Sequence, residues 1–436
     1  MKRFALVALL AAMLFGVASS ASATELKVKG NIDVYGMWSA NLMDHDSDVA
    51  DGDNYMTTQR MRSYFSYVAN ENLKAVLGLE IDNLWGKGTA ADWGTDGKGN
   101  IEVKHAYLDF NFPDTTVNVK AGLQYVALPS VFGNPVFDDD APALVVSAPI
   151  NEMFGLTAGY SRGADGSANT DNAPLVDGED NDDIDMAFIA APITLDGFEV
   201  APYFAYAWIG ADAPATSSGP VGIGEDATVY AVGANAALTM FDPLTFAADV
   251  IYGALDSDDY ESAGWYAALA GSYKMDMLTA TLFGTYSTGL NDDDDNDQDV
   301  MPTLAEGWGL TPYIGGVRAF STTYDSFATD NLGVGSDGTG LWTVGLVLDK
   351  ITFVENLSHK LVIAYAQGTG DEDTSLFTEE DSGWEVYFVN KYMIYENLAA
   401  INELGYFQGS SEVYEDAVGD DLDASYFATV GFQYKF

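Results

Sequence analysis

From residue 24 to the end, apolar and polar side chains alternate with a period of two. Val117, Val119, Ala121, Leu123 and Tyr125 are interleaved with Thr116, Asn118, Lys120 and Gln124. Ile184, Met186, Phe188 and Ala190 follow the same rule, as do Leu278, Ala280, Leu282 and Tyr286. Successive side chains of a strand point to opposite faces, so this pattern specifies strands with one apolar and one polar face. No sustained stripe of 3.6-residue period occurs. The pattern divides into about 18 strands, many of them as long as the roughly 9–11 residues that cross a bilayer at a tilt.

The connections strengthen the constraint because they alternate between short and long. Asn70-Glu71, Pro113-Asp114, Asn151-Glu152, Asp196-Gly197, Asp242-Pro243, Asp276 and Glu396-Asn397 mark short turns. Long connections fall near 41–56, 86–99, 127–141, 163–181, 211–224, 255–260, 290–337, 370–381 and 411–422. A Glu-Asn-Leu triplet opens a strand at Glu71, Glu355 and Glu396, each time at a short connection. A membrane barrel has short periplasmic turns and longer outer loops; a soluble sandwich has no reason to sort loop lengths this way. The fold class expected is all-β, a transmembrane antiparallel barrel of 16–18 strands, 18 by count, with acidic extracellular loops.

Residues 1–23 read as a cleaved leader: Lys2 and Arg3, an apolar run from Phe4 to Val17, then Ala21-Ser22-Ala23. Residues 24–436 then form one barrel domain. The chain carries 18 Lys+Arg against 66 Asp+Glu, a net charge of −48 that becomes −50 without Lys2 and Arg3. That charge excludes nucleic acid as a partner, which needs a cationic face. Hydrophobic content of 48% and aromatic content of 13% exclude a disordered acidic chain. With no Cys and only His45, His105 and His359, thiolate chemistry is absent and triad chemistry has little to draw on. No G-x-S-x-G or H-E-x-x-H occurs, so no enzyme is expected. Asp44, Asp46 and Asp48 have calcium-type spacing, but Val49 stands where an EF-hand needs Gly and Tyr55 where it needs Glu. No cofactor is expected beyond loose divalent-cation binding by the acidic loops.

The final strand alternates Tyr426, Ala428, Val430, Phe432, Tyr434 and Phe436 with Phe427, Thr429, Gly431, Gln433 and Lys435. Tyr434 and Phe436 would stand in an interfacial aromatic girdle. This strand closely resembles the terminal strand of outer-membrane barrels. The whole chain resembles the outer-membrane porins, and most of all the homotrimeric porins of sulfate-reducing bacteria. The carriers are the leader, Gln124-Tyr125-Val126-Ala127-Leu128-Pro129, Asp138-Asp139-Asp140, Val146-Ser147-Ala148-Pro149-Ile150, Leu156-Thr157-Ala158-Gly159-Tyr160 and Tyr434-Lys435-Phe436.

The resemblance implies a passive trimeric channel for small hydrophilic solutes and ions, integral to the outer membrane. Its partners would be copies of itself, outer-membrane lipid and lipopolysaccharide, and the barrel assembly machinery that reads the last strand. It also implies that the third long loop, about 127–141, folds inward to a constriction. There Asp138, Asp139 and Asp140 would face Arg60, Arg62, Lys27, Lys29 and Lys120 on the wall. Nine of the 18 basic residues lie between Thr24 and Tyr125, which suits that reading. The acid excess predicts a preference for cations. Two other readings stay open: a sugar-type selective channel, for which Tyr35, Tyr64, Tyr203 and Tyr387 face inward, and a structural or adhesive barrel with cation-binding loops.

Overall fold

The computed structural model describes residues 25–42, 53–86, 100–165, 182–213, 225–258, 260–291, 297–320, 340–371, 377–411, 415 and 422–436. The expected leader at 1–23, His45 and the Asp44–Asp48 run lie outside them.

The strands in chain order are β1 (Glu25–Ala40), β2 (Asp53–Asn70), β3 (Leu73–Leu84), β4 (Asn100–Asn111), β5 (Asn118–Ala127), β6 (Asp138–Pro149), β7 (Gly155–Asp165), β8 (Asp183–Ala190), β9 (Ile193–Leu195) and β10 (Phe198–Ile209). They continue with β11 (Ala227–Phe241), β12 (Leu244–Ser257), β13 (Glu261–Lys274), β14 (Thr279–Ser287), β15 (Asp297–Gln298), β16 (Leu341–Val354), β17 (Leu357–Gly368), β18 (Ser382–Tyr395), β19 (Leu398–Ser410) and β20 (Ser425–Lys435).

β8 and β9 are one wall strand interrupted at Ala191-Pro192, and both pair with β10. Pro192 has no N–H to give to a ladder, so the interruption falls where the sequence demands it. β15 is a two-residue strand in the long β14–β16 connection. Eighteen strands therefore form the wall, and each neighbouring pair of them is antiparallel. β1 pairs with both β2 and β20, which closes the sheet on itself. Closure removes the edge strands that a bilayer could not tolerate.

The three Glu-Asn-Leu triplets occupy two-residue turns, and Asn356 adopts the left-handed φ of 63° that Asn tolerates. The C-terminus docks at this short-turn end, where Gly30 and Phe436 exchange backbone hydrogen bonds of 2.8 and 3.0 Å. Tyr434 and Phe436 stack at 5.8 Å there.

Parity assigns the two faces. Ile101, Leu144, Val250, Leu269, Leu282, Ile363 and Val430 point outward and are exposed. An apolar surface this extensive suits lipid rather than water. Inward-pointing Tyr35, Val229, Ile251, Tyr266, Leu341 and Val362 are buried. They pack against two connections that run inside the barrel, which is where the core sits.

One local irregularity positions charge. β3 and β4 pair Gly78 with His105 but Leu79 with Val103, leaving Lys104 as an extra residue. Such a bulge shifts the side-chain parity of one strand. Val103 and Leu108 are both outward, with Lys104 and His105 sheltered between them.

Candidate functional site: a septum across the lumen

Two connections fold inward and knit together. The first is residues 128–137, between β5 and β6. The second is residues 299–320, between β15 and β16. Gly309 and Gly307 N–H donate to the Phe132 and Asn134 carbonyls at 3.0 and 3.2 Å. Leu304 N–H donates to the Val136 carbonyl at 2.9 Å, and Asp138 N–H to the Ala305 carbonyl at 2.8 Å. Gly133 has φ of 82° and lies against Gly307, whose carbonyl a Cβ at Gly133 would strike. Glycine is thus required twice over, for the dihedral and for the close approach.

The joined segments are anchored to the wall at four places. On β12, buried Asp249 accepts from Val131 N–H at 2.6 Å, Ser130 Oγ at 3.0 Å and Asn235 Nδ2 at 2.8 Å. On β10 and β13, Tyr203 accepts from Asn134 Nδ2 and Tyr266 from Trp308 Nε1, each at 2.9 Å. On β18, fully buried Glu385 accepts from Thr311 Oγ1 and from Tyr313 N–H.

The fourth anchor is the densest. Glu403 on β19 is fully buried and accepts from Ala319 N–H at 2.8 Å, Tyr387 OH at 2.5 Å and Thr429 Oγ1 at 2.7 Å. Its carboxylate also pairs with Arg318 at 3.2 Å. The Arg318 guanidinium lies over the Phe427 ring at 4.8 Å, and Phe320 stacks on Tyr35 at 4.6 Å. Buried carboxylates are tolerated here because each meets N–H and O–H donors or a cation.

Tyr35, Tyr203 and Tyr387 all face inward as expected. They hold the septum rather than forming a continuous aromatic track. Tyr64 lies instead beside Lys29 and His105.

The wall from β2 to β6 carries the charges. Arg60 is buried and bonds Asp82 through Nε at 2.7 Å and Nη2 at 2.9 Å. Arg60 also meets Glu80 at 3.4 Å, and Arg62 pairs with Glu80 as well. Asp140 bonds His105 at 2.9 Å and pairs with Lys104.

The expected constriction changes in three respects. Asp138, Asp139 and Asp140 are not in the loop: they open β6, opposite Ala127, Val126 and Tyr125. Arg60 and Arg62 do not face them across a gap, because Asp82 and Glu80 on the adjoining strand sit directly opposite in register and take the guanidiniums. Asp140 reaches β4 instead, since β4 and β5 pair only from Ala106–Leu123 to Asn111–Asn118 and part above that. Tyr125 donates across the β5–β6 ladder to Asp138. Lys27, Lys29 and Lys120 have inward parity but belong to the short-turn end, away from the septum. Lys27 meets Glu25 at 3.4 Å, Lys29 lies 5.8 Å from the Tyr64 ring centre, and Lys120 is opposite Asp109.

The 299–320 segment escaped the sequence reading, which took 290–337 as one long acidic loop. Its signal is composition. After Asp299, residues 301–320 hold a single acid, Glu306, and a single base, Arg318, among Met301, Leu304, Trp308, Tyr313, Ile314 and Phe320. A loop that apolar is built for burial.

Below the septum a cavity of about 200 Å³ opens between Val317, Arg318 and Ala319 above and Asp349, Lys360, Tyr387, Val389 and Lys391 on the wall.

No family model matches the sequence, and no curated protein matches it. Solved structures do. OccAB3 of Acinetobacter baumannii is 12% identical at a TM-score of 0.57, covering 94% of this chain and 99% of that one. OccAB1 of the same organism is 11% identical at 0.55, covering 96% and 99%. The outer membrane protein OprD of Pseudomonas aeruginosa is 11% identical at 0.54, covering 94% of each chain. The fold is that of an integral bacterial outer-membrane barrel. The shared architecture extends over nearly the full length of both partners.

Proposed function

We propose that the chain is a porin, a passive water-filled channel for small hydrophilic solutes and ions rather than an enzyme. The observation that carries this reading is a closed 18-strand wall whose interior is narrowed by a septum instead of filled by wall side chains. Barrels of eight strands fill their lumen with side chains, and barrels of 16–18 leave an aqueous channel. Beside the septum the inner wall is lined by charged groups that remain partly exposed: Arg62 and Lys104, both near Glu80. Such a lining suits hydrated solutes and disfavours apolar ones.

The net preference is for cations. The long connections hold most of the acid excess, and a negative entrance concentrates cations and steers them in. Lys29, Lys74, Lys120, Lys360, Lys391 and Lys435 line the lower lumen and oppose it locally. The entrance dominates at low salt and fades as the Debye length falls to about 3 Å at 1 M. The working form is a homotrimer, as the resemblance to the porins of sulfate-reducing bacteria implies, with Tyr434 and Phe436 serving as the assembly signal.

A selective channel is the second reading, favoured by the four anchors, which fix one septum geometry. The test is conductance in planar bilayers. Stepwise ohmic insertions with graded permeation of neutral sugars by size support the general channel. A silent bilayer overturns both readings and favours a structural barrel. Saturable passage of one solute class favours the selective channel.

A further inference from the structure

We infer that the cavity beneath the septum is a binding site for a small divalent oxyanion, held by Lys360, Lys391 and Arg318. The inference rests on the channel reading and adds a ligand to its path. Lys360 and Lys391 share the inner face of β17 and β18: Lys360 is opposite Val389, and Lys391 is opposite Ser358 two residues along. Both ammonium-bearing side chains line the cavity, and among the described residues neither has a carboxylate within ion-pair distance. Among the described residues, Arg60, Arg62, Lys104, Arg162 and Arg318 are all paired with acids. Among the described lysines, Lys27, Lys74 and Lys104 have ion pairs and several others do not; Lys360 and Lys391 are unpaired and face one cavity.

Arg318 forms part of the roof and comes from the septum, while the lysines come from the wall. The single acid lining the cavity is Asp349. With Arg318 already paired to Glu403, Lys360 and Lys391 against Asp349 leave the site a net charge of +1. Lys435 on β20, beyond β19, has the same inward parity and adds to the positive potential, which Asp33 on β1 partly offsets at Lys391. A tetrahedral dianion suits this arrangement: it accepts from several N–H donors at once and answers the charges of the two lysines. A cation would meet Asp349 only at the cost of the like charges of Lys360 and Lys391. A neutral sugar would leave the lysines without counter-charge.

Because Arg318 also pairs with Glu403, an anion in the cavity competes for the same guanidinium. Occupancy therefore bears on the anchor that fixes one end of the septum.

The test uses the full-length mature protein in planar bilayers in dilute KCl, with inorganic phosphate added to one side at a time. Phosphate on the short-turn side should lower the KCl current saturably, and more strongly than from the other side. Lys360→Gln with Lys391→Gln should weaken this block at least tenfold, while Lys360→Arg with Lys391→Arg should retain it. Lys274→Gln, remote from the cavity, should leave it unchanged. Heat-modifiable gel migration establishes that each variant is a folded barrel. Absence of block in wild type, or a block that survives in the double Gln variant, overturns the inference. KCl conductance without phosphate reports on the channel reading separately.

Discussion

Replacing Glu403 by Gln tests whether the septum is held by its anchors or merely rests in the lumen. The substitution keeps the side-chain volume and removes the charge. Arg318, whose side chain is 2% exposed, then loses its carboxylate. Removing one partner of a buried ion pair costs about 3–5 kcal/mol, because the remaining charge stays desolvated. The cation–π contact with Phe427 is present before and after the substitution, so it leaves that difference unchanged. The penalty of about 3–5 kcal/mol corresponds to roughly 100- to 4000-fold in the docked-to-undocked ratio of this end of the septum, at about 1.4 kcal/mol per decade. The wall bears little of it, since β19 keeps its backbone ladders to β18 and β20. Single-channel recording should therefore show larger and noisier unitary currents, while the thermal transition of the barrel stays close to wild type. A variant with wild-type conductance and wild-type noise would refute the assignment of Glu403 as an anchor.

Other outcomes follow from the same geometry. Gly133→Ala should misplace the septum, because the new Cβ meets the Gly307 carbonyl at a positive φ; altered conductance with unchanged gel migration would show it. Arg60→Ala with Arg62→Ala should strengthen cation selectivity, since Glu80 and Asp82 lose their counter-charges, and should lower stability by several kcal/mol as buried carboxylates are left unpaired; an unchanged zero-current potential and melting temperature would count against it. In wild type, a tenfold KCl gradient at low salt with chelator should give a potential of cation-selective sign that shrinks at 1 M. The opposite sign would transfer control of selectivity to the basic lower lumen. Trp308→Phe removes the 2.9 Å bond to Tyr266 and should raise current noise modestly, with no change in strand content by circular dichroism.

Much of the wall was legible residue by residue. Period-two alternation fixed which side chains of β5 and β14 share a face, because the pleat imposes that parity whatever the neighbours; on β8 the apolar series Met186, Phe188 and Ala190 turns inward and is buried, while Ile189 faces out. Turn chemistry placed the short ends, from Glu71-Asn72 to Glu396-Asn397. Only the tertiary structure decided who meets whom inside. Arg318 finds Glu403 across 85 positions and Ser130 finds Asp249 across 119, distances over which local sequence carries no pairing information. The basic wall was visible as a run of Lys and Arg, but its partners were not. Register brings Glu80 and Asp82 beside Arg60 and Arg62, and a single bulge turns Lys104 toward Asp140. Parity tells which face a residue occupies. Its height in the barrel, and the chain that crosses the lumen to meet it, depend on closure of the whole sheet.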